Sequence, residues 1–218
     1  MIETGVLFGN IHSFHDLNLV LSSVDIAPAT PKDNYIDVPG GDGSLDLTEA
    51  HGEVKYKDRT LNFTFTVHPL DEKTFDEKIT QVSNALNGRR FDKITLDRDS
   101  GYYWQGRCVV DEHKQDKRLK QIVISAIVKP YKLKQNVTVH TCPLTTEETE
   151  ILLMNSRKSV VPTIECTDAN TVVVFGDITQ TLGAGTFKIL DVCLTEGGNL
   201  LKVSGSGTIT FTYQEGDL

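Results

Sequence analysis

Leu61-Asn62-Phe63-Thr64-Phe65-Thr66-Val67 alternates apolar and polar side chains without a break. Successive strand residues point to opposite faces, so this period of two puts Leu61, Phe63, Phe65 and Val67 on one buried face and wets the other. Downstream, Gln121 to Val128 (QIVISAIV) is a more continuous apolar run rich in β-branched residues and reads as a core strand. Between the two lies one helical pattern. Thr74-Phe75-Asp76-Glu77 is a capping box, in which the Thr oxygen and the Glu carboxylate each satisfy an orphan backbone N–H. Phe75, Ile79, Val82 and Leu86 then form a single stripe, and Gly88 supplies the left-handed residue that stops a helix. The spacing predicts a helix over 74–87 that buries its stripe on a sheet.

Beyond Val128 the texture changes. Lys129-Pro130-Tyr131-Lys132-Leu133-Lys134 is basic and carries a proline, which cannot donate into a central ladder, so a domain boundary is expected near residue 132. After it come short strands at Val161–Cys166, Thr171–Phe175, Thr186–Leu190, Asn199–Val203 and Thr208–Tyr213, several of them separated by Gly-rich turns. That rhythm indicates a sandwich. Glu147 to Met154 reads as strand, although Thr145-x-x-Glu148 resembles a helix cap. The expected fold class is mainly β: an amino-terminal β domain with one α-helix and a hairpin, followed by a β-sandwich.

The hairpin is the segment Ile36 to Leu47. Ile36 and Val38 share a face, as do Leu45 and Leu47, while Asp37 and Asp46 point the other way across the turn Pro39-Gly40-Gly41-Asp42-Gly43. An isolated hairpin is marginal in water. Burying four aliphatics contributes at most about 6–12 kcal/mol, at roughly 1.5–3 each. The face is expected to pack on its own domain or on a neighbouring copy.

The chain has 218 residues, of which 39% are apolar and 24% charged, enough for proper cores rather than global disorder. Its net charge of −8 makes sequence-independent binding to phosphate backbones a poor expectation. No apolar run approaches the roughly 20 residues of a membrane span. Met1-Ile2-Glu3-Thr4 lacks the basic start of a signal peptide. Cys108, Cys142, Cys166 and Cys193 are widely spaced, which fits small buried hydrophobes in a chain made in a reducing cytosol better than a zinc or disulfide framework.

Candidate chemistry is sparse. His12-Ser13-Phe14-His15 reads as turn or surface histidines rather than metal ligands, and Asp97-Arg98-Asp99 as a hairpin tip. In Tyr102-Tyr103-Trp104 adjacent strand residues face opposite sides, so Tyr103 cannot share a sugar platform with its neighbours, and Trp104 reads as core. Lys114, Lys117, Arg118 and Lys120 are interleaved with Asp111, Glu112 and Asp116, the mixture of a solvated hairpin end. Gly183-Ala184-Gly185 is followed by a strand, not by the helix of a dinucleotide site. No nucleophile elbow, phosphate loop or His-Glu-x-x-His is present. No catalytic, cofactor-binding or metal-ligating residue is assigned. A carbohydrate-binding module and a two-carboxylate cell-wall hydrolase remain as rival readings.

Several segments in fixed order resemble the distal tail proteins of siphophages and prophages of Gram-positive hosts. They are Phe8-Gly9-Asn10-Ile11-His12-Ser13 with Asp16-Leu17, then Asp37-Val38-Pro39-Gly40-Gly41-Asp42-Gly43-Ser44-Leu45-Asp46-Leu47-Thr48, then Tyr56-x-x-Arg59-x-Leu61, Asn87-Gly88 and Lys129-Pro130-Tyr131-Lys132. The last third adds Val161-Pro162-Thr163-Ile164, Leu194-x-Glu196-Gly197-x-Asn199-x-Leu201-x-Val203 and Tyr213-x-x-Gly216-x-Leu218. The resemblance implies a ring-forming belt domain over residues 1–132, six copies to a ring, and a galectin-like sandwich over 133–218. It further implies a non-enzymatic virion component at the tail tip, made in the host bacterial cytoplasm, that joins the tail tube protein to the tail-associated hub protein and holds baseplate or receptor-binding proteins. Ile36, Val38, Leu45 and Leu47 are then the expected subunit contact, closing head to tail, with carboxylates of the amino-terminal half lining a bore through which DNA leaves.

Overall fold

The computed structural model describes residues 5–50, 52–68, 73–115 and 120–218. Met1 to Thr4, and Asp116, Lys117 and Arg118 of the basic stretch, lie outside the described residues. The chain forms two compact units, Met1–Lys132 and Leu133–Leu218. It is mainly β, with one α-helix among the described residues.

In the first unit the elements are β1 (Val6–Phe8), β2 (Ile11–His12), β3 (Leu19–Ile26), β4 (Tyr35–Asp37), β5 (Ser44–Asp46), β6 (Arg59–Val67), α1 (Phe75–Leu86), β7 (Arg90–Leu96), a 3-10 turn at Asp97–Asp99, β8 (Tyr102–Gln115) and β9 (Lys120–Val128). The main sheet runs β2-β1-β7-β8-β9-β6-β3 with antiparallel neighbours. Strand β6 keeps the strict alternation of its sequence, with Leu61, Phe63, Phe65 and Val67 buried.

Side-chain contacts show that this sheet curls. Strands β1 and β6 are separated by β7, β8 and β9. On a flat sheet that is on the order of 19 Å at about 4.8 Å per strand. Yet the Phe8 ring on β1 meets Phe63 on β6 edge-on, with centroids 5.7 Å apart, and Phe65 at 6.5 Å. The two ends of the sheet fold toward each other around a shared core, and buried Ser13 stitches them together. Its Oγ accepts from Val6 N at 3.0 Å, its N donates to Val6 O at 2.9 Å, and its carbonyl accepts from Leu19 N at 2.8 Å.

Helix α1 has the predicted capping box at Thr74 and Glu77, and Gly88 takes φ +71° after it. Phe75, Val82 and Leu86 enter the core, and Ile79 packs against it half-buried. One departure is Lys78. It is buried beside the stripe, laying its stem along the core and passing Nζ to Gln81 Oε1 at 3.2 Å. A polar letter hid one residue of the buried face.

The second unit contains most of β10 (Lys132–Lys134), then β11 (Thr138–Pro143), β12 (Thr149–Asn155), β13 (Thr163–Cys166), β14 (Thr171–Phe175), β15 (Ile178–Leu182), β16 (Gly185–Phe187), β17 (Gly197–Ser204), β18 (Thr208–Tyr213) and β19 (Gly216–Asp217). Two four-stranded antiparallel sheets, β11-β18-β13-β16 and β12-β17-β14-β15, face each other across one core. Ile164, Ile209 and Phe211 come from the first sheet, and Leu153, Leu201 and Val173 from the second. This is a sandwich.

Two strand readings change. The ladder of β13 starts at Thr163 because Pro162 has no N–H to donate, and the strand expected over Thr186–Leu190 is Gly185–Phe187. Strands β11 and β15 carried little periodic signal, since both are edge strands with exposed polar threonines.

A carboxylate pins the end of the chain. Glu215 accepts from Lys134 Nζ at 2.7 Å and Ser156 Oγ at 2.7 Å, and also from Thr138 Oγ1. Burial pushes its pKa up, but the bonds from Lys134, Thr138 and Ser156 outweigh that and leave it below the ordinary glutamate value. A depressed folded pKa stabilises the fold above the unfolded pKa and loses that contribution as pH falls through the folded value. Glu215→Gln is therefore expected to cost on the order of 2 kcal/mol at pH 7, with the gap to the parent narrowing as the pH drops below the usual carboxylate range. Urea titrations followed by circular dichroism at pH 7 and at acid pH check this; a penalty independent of pH contradicts it.

Candidate functional site

The segment between β3 and β6 is an arm. Its two limbs remain paired beyond the main sheet, through Ala27 N to Thr60 O (3.0 Å), Lys57 N to Thr30 O (2.8 Å) and Lys32 N to Lys55 O (2.7 Å). At its tip β4 and β5 form a two-stranded sheet of their own, with Ile36 opposite Leu45 and Tyr35 opposite Asp46. The turn is chemically determined. Gly41 N donates to Val38 O at 3.0 Å, Pro39 occupies the second position, and Gly40 takes φ +82° in the third. That is a type II turn, whose third position favours glycine.

The two faces of the tip differ. One carries Ile36, Val38 and Leu45, which are 48%, 50% and 53% exposed, with Leu47 half-buried behind them. None of the four belongs to either hydrophobic core. The expectation that this face packs on its own domain therefore fails: β4 and β5 pair only with each other, and the greasy face meets solvent.

The other face is acidic and ordered. Asp37 Oδ1 accepts from Ser44 Oγ at 2.6 Å, and Asp46 Oδ1 accepts from Thr48 N at 2.9 Å. Hydrogen bonds from Thr48 hold Asp46 below its ordinary pKa, and Lys57, 2.8 Å from Asp33, does the same for Asp33. The charge of Asp46 raises Tyr35.

The remaining candidate residues have structural work. His12 is largely buried: Nδ1 accepts from Phe14 N and His15 N at 3.2 Å each, while Nε2 lies 3.1 Å from Asp97 Oδ2. Asp97 also takes Gly5 N at 2.6 Å, so the hairpin tip of Asp97–Asp99 clamps the start of β1. Sequence spacing gave no sign of this, because the partners are 85 residues apart. Trp104 enters the core, Tyr103 is buried on the opposite side of β8 under Lys93 Nζ, and Tyr102 lies under Lys132 Nζ. Among the described residues no three His, Cys, Asp or Glu side chains gather as a metal site. All four cysteines are free, and burial pushes the Cys108 thiol up to about 12, far from a reactive thiolate. The arm tip is an exposed apolar face of definite shape, and what it can do is bind.

The family model for the phage tail protein RIFT-related domain matches residues 11–138, more than half of the chain and nearly all of the first unit. No curated protein sequence matches. Among solved structures, the crystal structure of SPP1 Dit (gp 19.1), described as a paradigm of hub adsorption apparatus in Gram-positive infecting phages, aligns at a TM-score of 0.68 and 14% identity. The alignment covers 97% of this chain and 98% of that one, so both units share its fold. The chain belongs to the phage tail protein RIFT-related domain family, and is a phage tail protein.

Proposed function

We propose that this tail protein is a distal tail adapter, a non-enzymatic brick whose amino-terminal unit closes six copies into a ring between the tail tube and the tail-tip hub. In this reading residues 1–132 form the belt, residues 133–218 are a galectin-like sandwich that offers a surface to baseplate or receptor-binding proteins, and carboxylates of the first unit face the bore. Its place is the virion tail tip, after synthesis in the host cytoplasm. The observation that carries it is the arm tip. A chain of a tail family exposes Ile36, Val38 and Leu45 on a hairpin that no core of its own covers. Isolated hairpins gain little from standing alone, so the exposed face is built to be covered by another molecule. A sugar site does not follow from a sandwich fold.

The test is direct. Purified protein is expected to give a closed ring with a central hole in negative stain, and a mass near six chains by light scattering. A monomer at all accessible concentrations, or an open filament, rejects the ring.

A further inference from the structure

Strand β6 begins with a charge on its core face. The alternation that buries Leu61, Phe63, Phe65 and Val67 places Arg59 on the same side, and Arg59 is only 8% exposed. Its neighbours across the sheet supply no acid. Arg59 stands opposite Val128 on β9, and Val128 stands opposite Gly106 on β8. A Cβ at Gly106 would collide with the Ile127 carbonyl oxygen, so that position admits no side chain. Just beyond this end of β6 and β9 the Tyr56 and Tyr131 rings meet edge-on, with centroids 5.9 Å apart.

The nearest acids along the strands are engaged elsewhere. Asp58 precedes Arg59 and so points to the opposite face, where Lys129 lies 3.9 Å away. Asp111 accepts from Ser125 on that same outer face. Among the described residues nothing pairs with the Arg59 guanidinium, and its Nε is sealed from solvent without a hydrogen bond. Burial holds its pKa below the ordinary arginine value; a nearby carboxylate would act the other way, and none does. An arginine keeps its charge at any working pH. A long cation on a surface avoids the cost of burial by leaving its head in water, but here even Nε is enclosed. Such a group is expensive unless an anion pairs with it.

We infer that the Arg59 guanidinium is a binding group for a carboxylate from outside the chain. The planar fork accepts carboxylate or phosphate oxygens two at a time. A chain of net charge −8 repels a doubly charged phosphate more than a singly charged carboxylate, which selects the second. The carboxylate comes either from an acidic side chain of another subunit or from a small free acid, and the two sources differ in what they do to assembly.

Arg59→Met keeps the length of the stem and removes the charge. The comparison is made on full-length monomers, using the Leu45→Asp, Leu47→Asp background where the parent assembles. The Met variant is expected to unfold at a higher urea concentration than its Arg59 counterpart, because an apolar side chain replaces an unpaired buried cation. Sodium acetate exchanged for sodium chloride at constant ionic strength is expected to raise the melting temperature of the Arg59 protein and to leave that of the Met variant unchanged. A Met variant no more stable than its counterpart shows that the charge is already compensated within the fold and overturns the inference. An acetate effect equal in both proteins overturns it too, and a shift with inorganic phosphate but none with acetate rejects the carboxylate class. The source is then read from chains that carry Arg59→Met alone. Assembly weakened at least about tenfold assigns the carboxylate to a neighbouring subunit, and unchanged assembly beside the acetate shift assigns it to a free acid. A parent that never assembles rejects the ring proposed above, while the urea and acetate results still decide the site.

Discussion

If the proposed ring is the assembly, replacing Leu45 and Leu47 together by Asp is expected to leave a folded monomer in its place. Neither side chain belongs to a core, and Leu45 is 53% exposed, so the fold loses almost nothing. The assembly loses a great deal. Two leucines withdrawn from an interface forfeit about 3–6 kcal/mol of apolar burial per contact, roughly two to four decades in dissociation constant, before the cost of desolvating two carboxylates is added. In a ring every copy carries the lesion, so every contact weakens at once. Multi-angle light scattering over a concentration series reads the result, with a thermal melt as the control for folding. Rings at full yield would show that the arm tip faces solvent in the assembly.

The second large effect is on stability. Phe63→Ala is expected to cost about 3–5 kcal/mol, the range for a buried aromatic cut back to a methyl. Phe63 is fully buried at the middle of β6, paired on one side with Val24 of β3 and on the other with Ile124 of β9. Backbone ladders on both sides keep the void from collapsing, which places the cost toward the upper end. The edge-on contact with Phe8 is lost as well, and that contact helps hold the curl of the sheet. The half-buried Phe91, which meets Phe8 from the other side at 5.9 Å, serves as the comparison, and Phe91→Ala is expected to cost clearly less. Equilibrium denaturation in urea, followed by Trp104 fluorescence from the same core, measures both. A loss under about 1 kcal/mol for Phe63→Ala would mean the two ends of the sheet do not share a core.

Strand β6 and helix α1 were legible because their signals are local. Alternation along Leu61–Val67 and the Thr74–Glu77 capping box depend on residues a few positions apart, and the structure reproduces both. Lys78 went unnoticed as part of the buried face because a long cation with an aliphatic stem scores as polar wherever its stem lies. Edge strand β15, with exposed threonines and one paired neighbour, has no apolar rhythm to read. Among the candidate residues, the hairpin Ile36–Leu47 was found in sequence by its shared greasy face, but the partners of His12 and Asp97 were not.

The sequence by itself determined the β class, the single helix with its caps, and the turn and shared apolar face of the arm hairpin, because backbone periodicity and turn chemistry act within a handful of residues. Only the tertiary structure decided that Ile36, Val38 and Leu45 go uncovered, and that Arg90, Arg107 and Ile127 come together from three separate strands. Exposure and charge clustering depend on which distant strands become neighbours, and no local pattern encodes that.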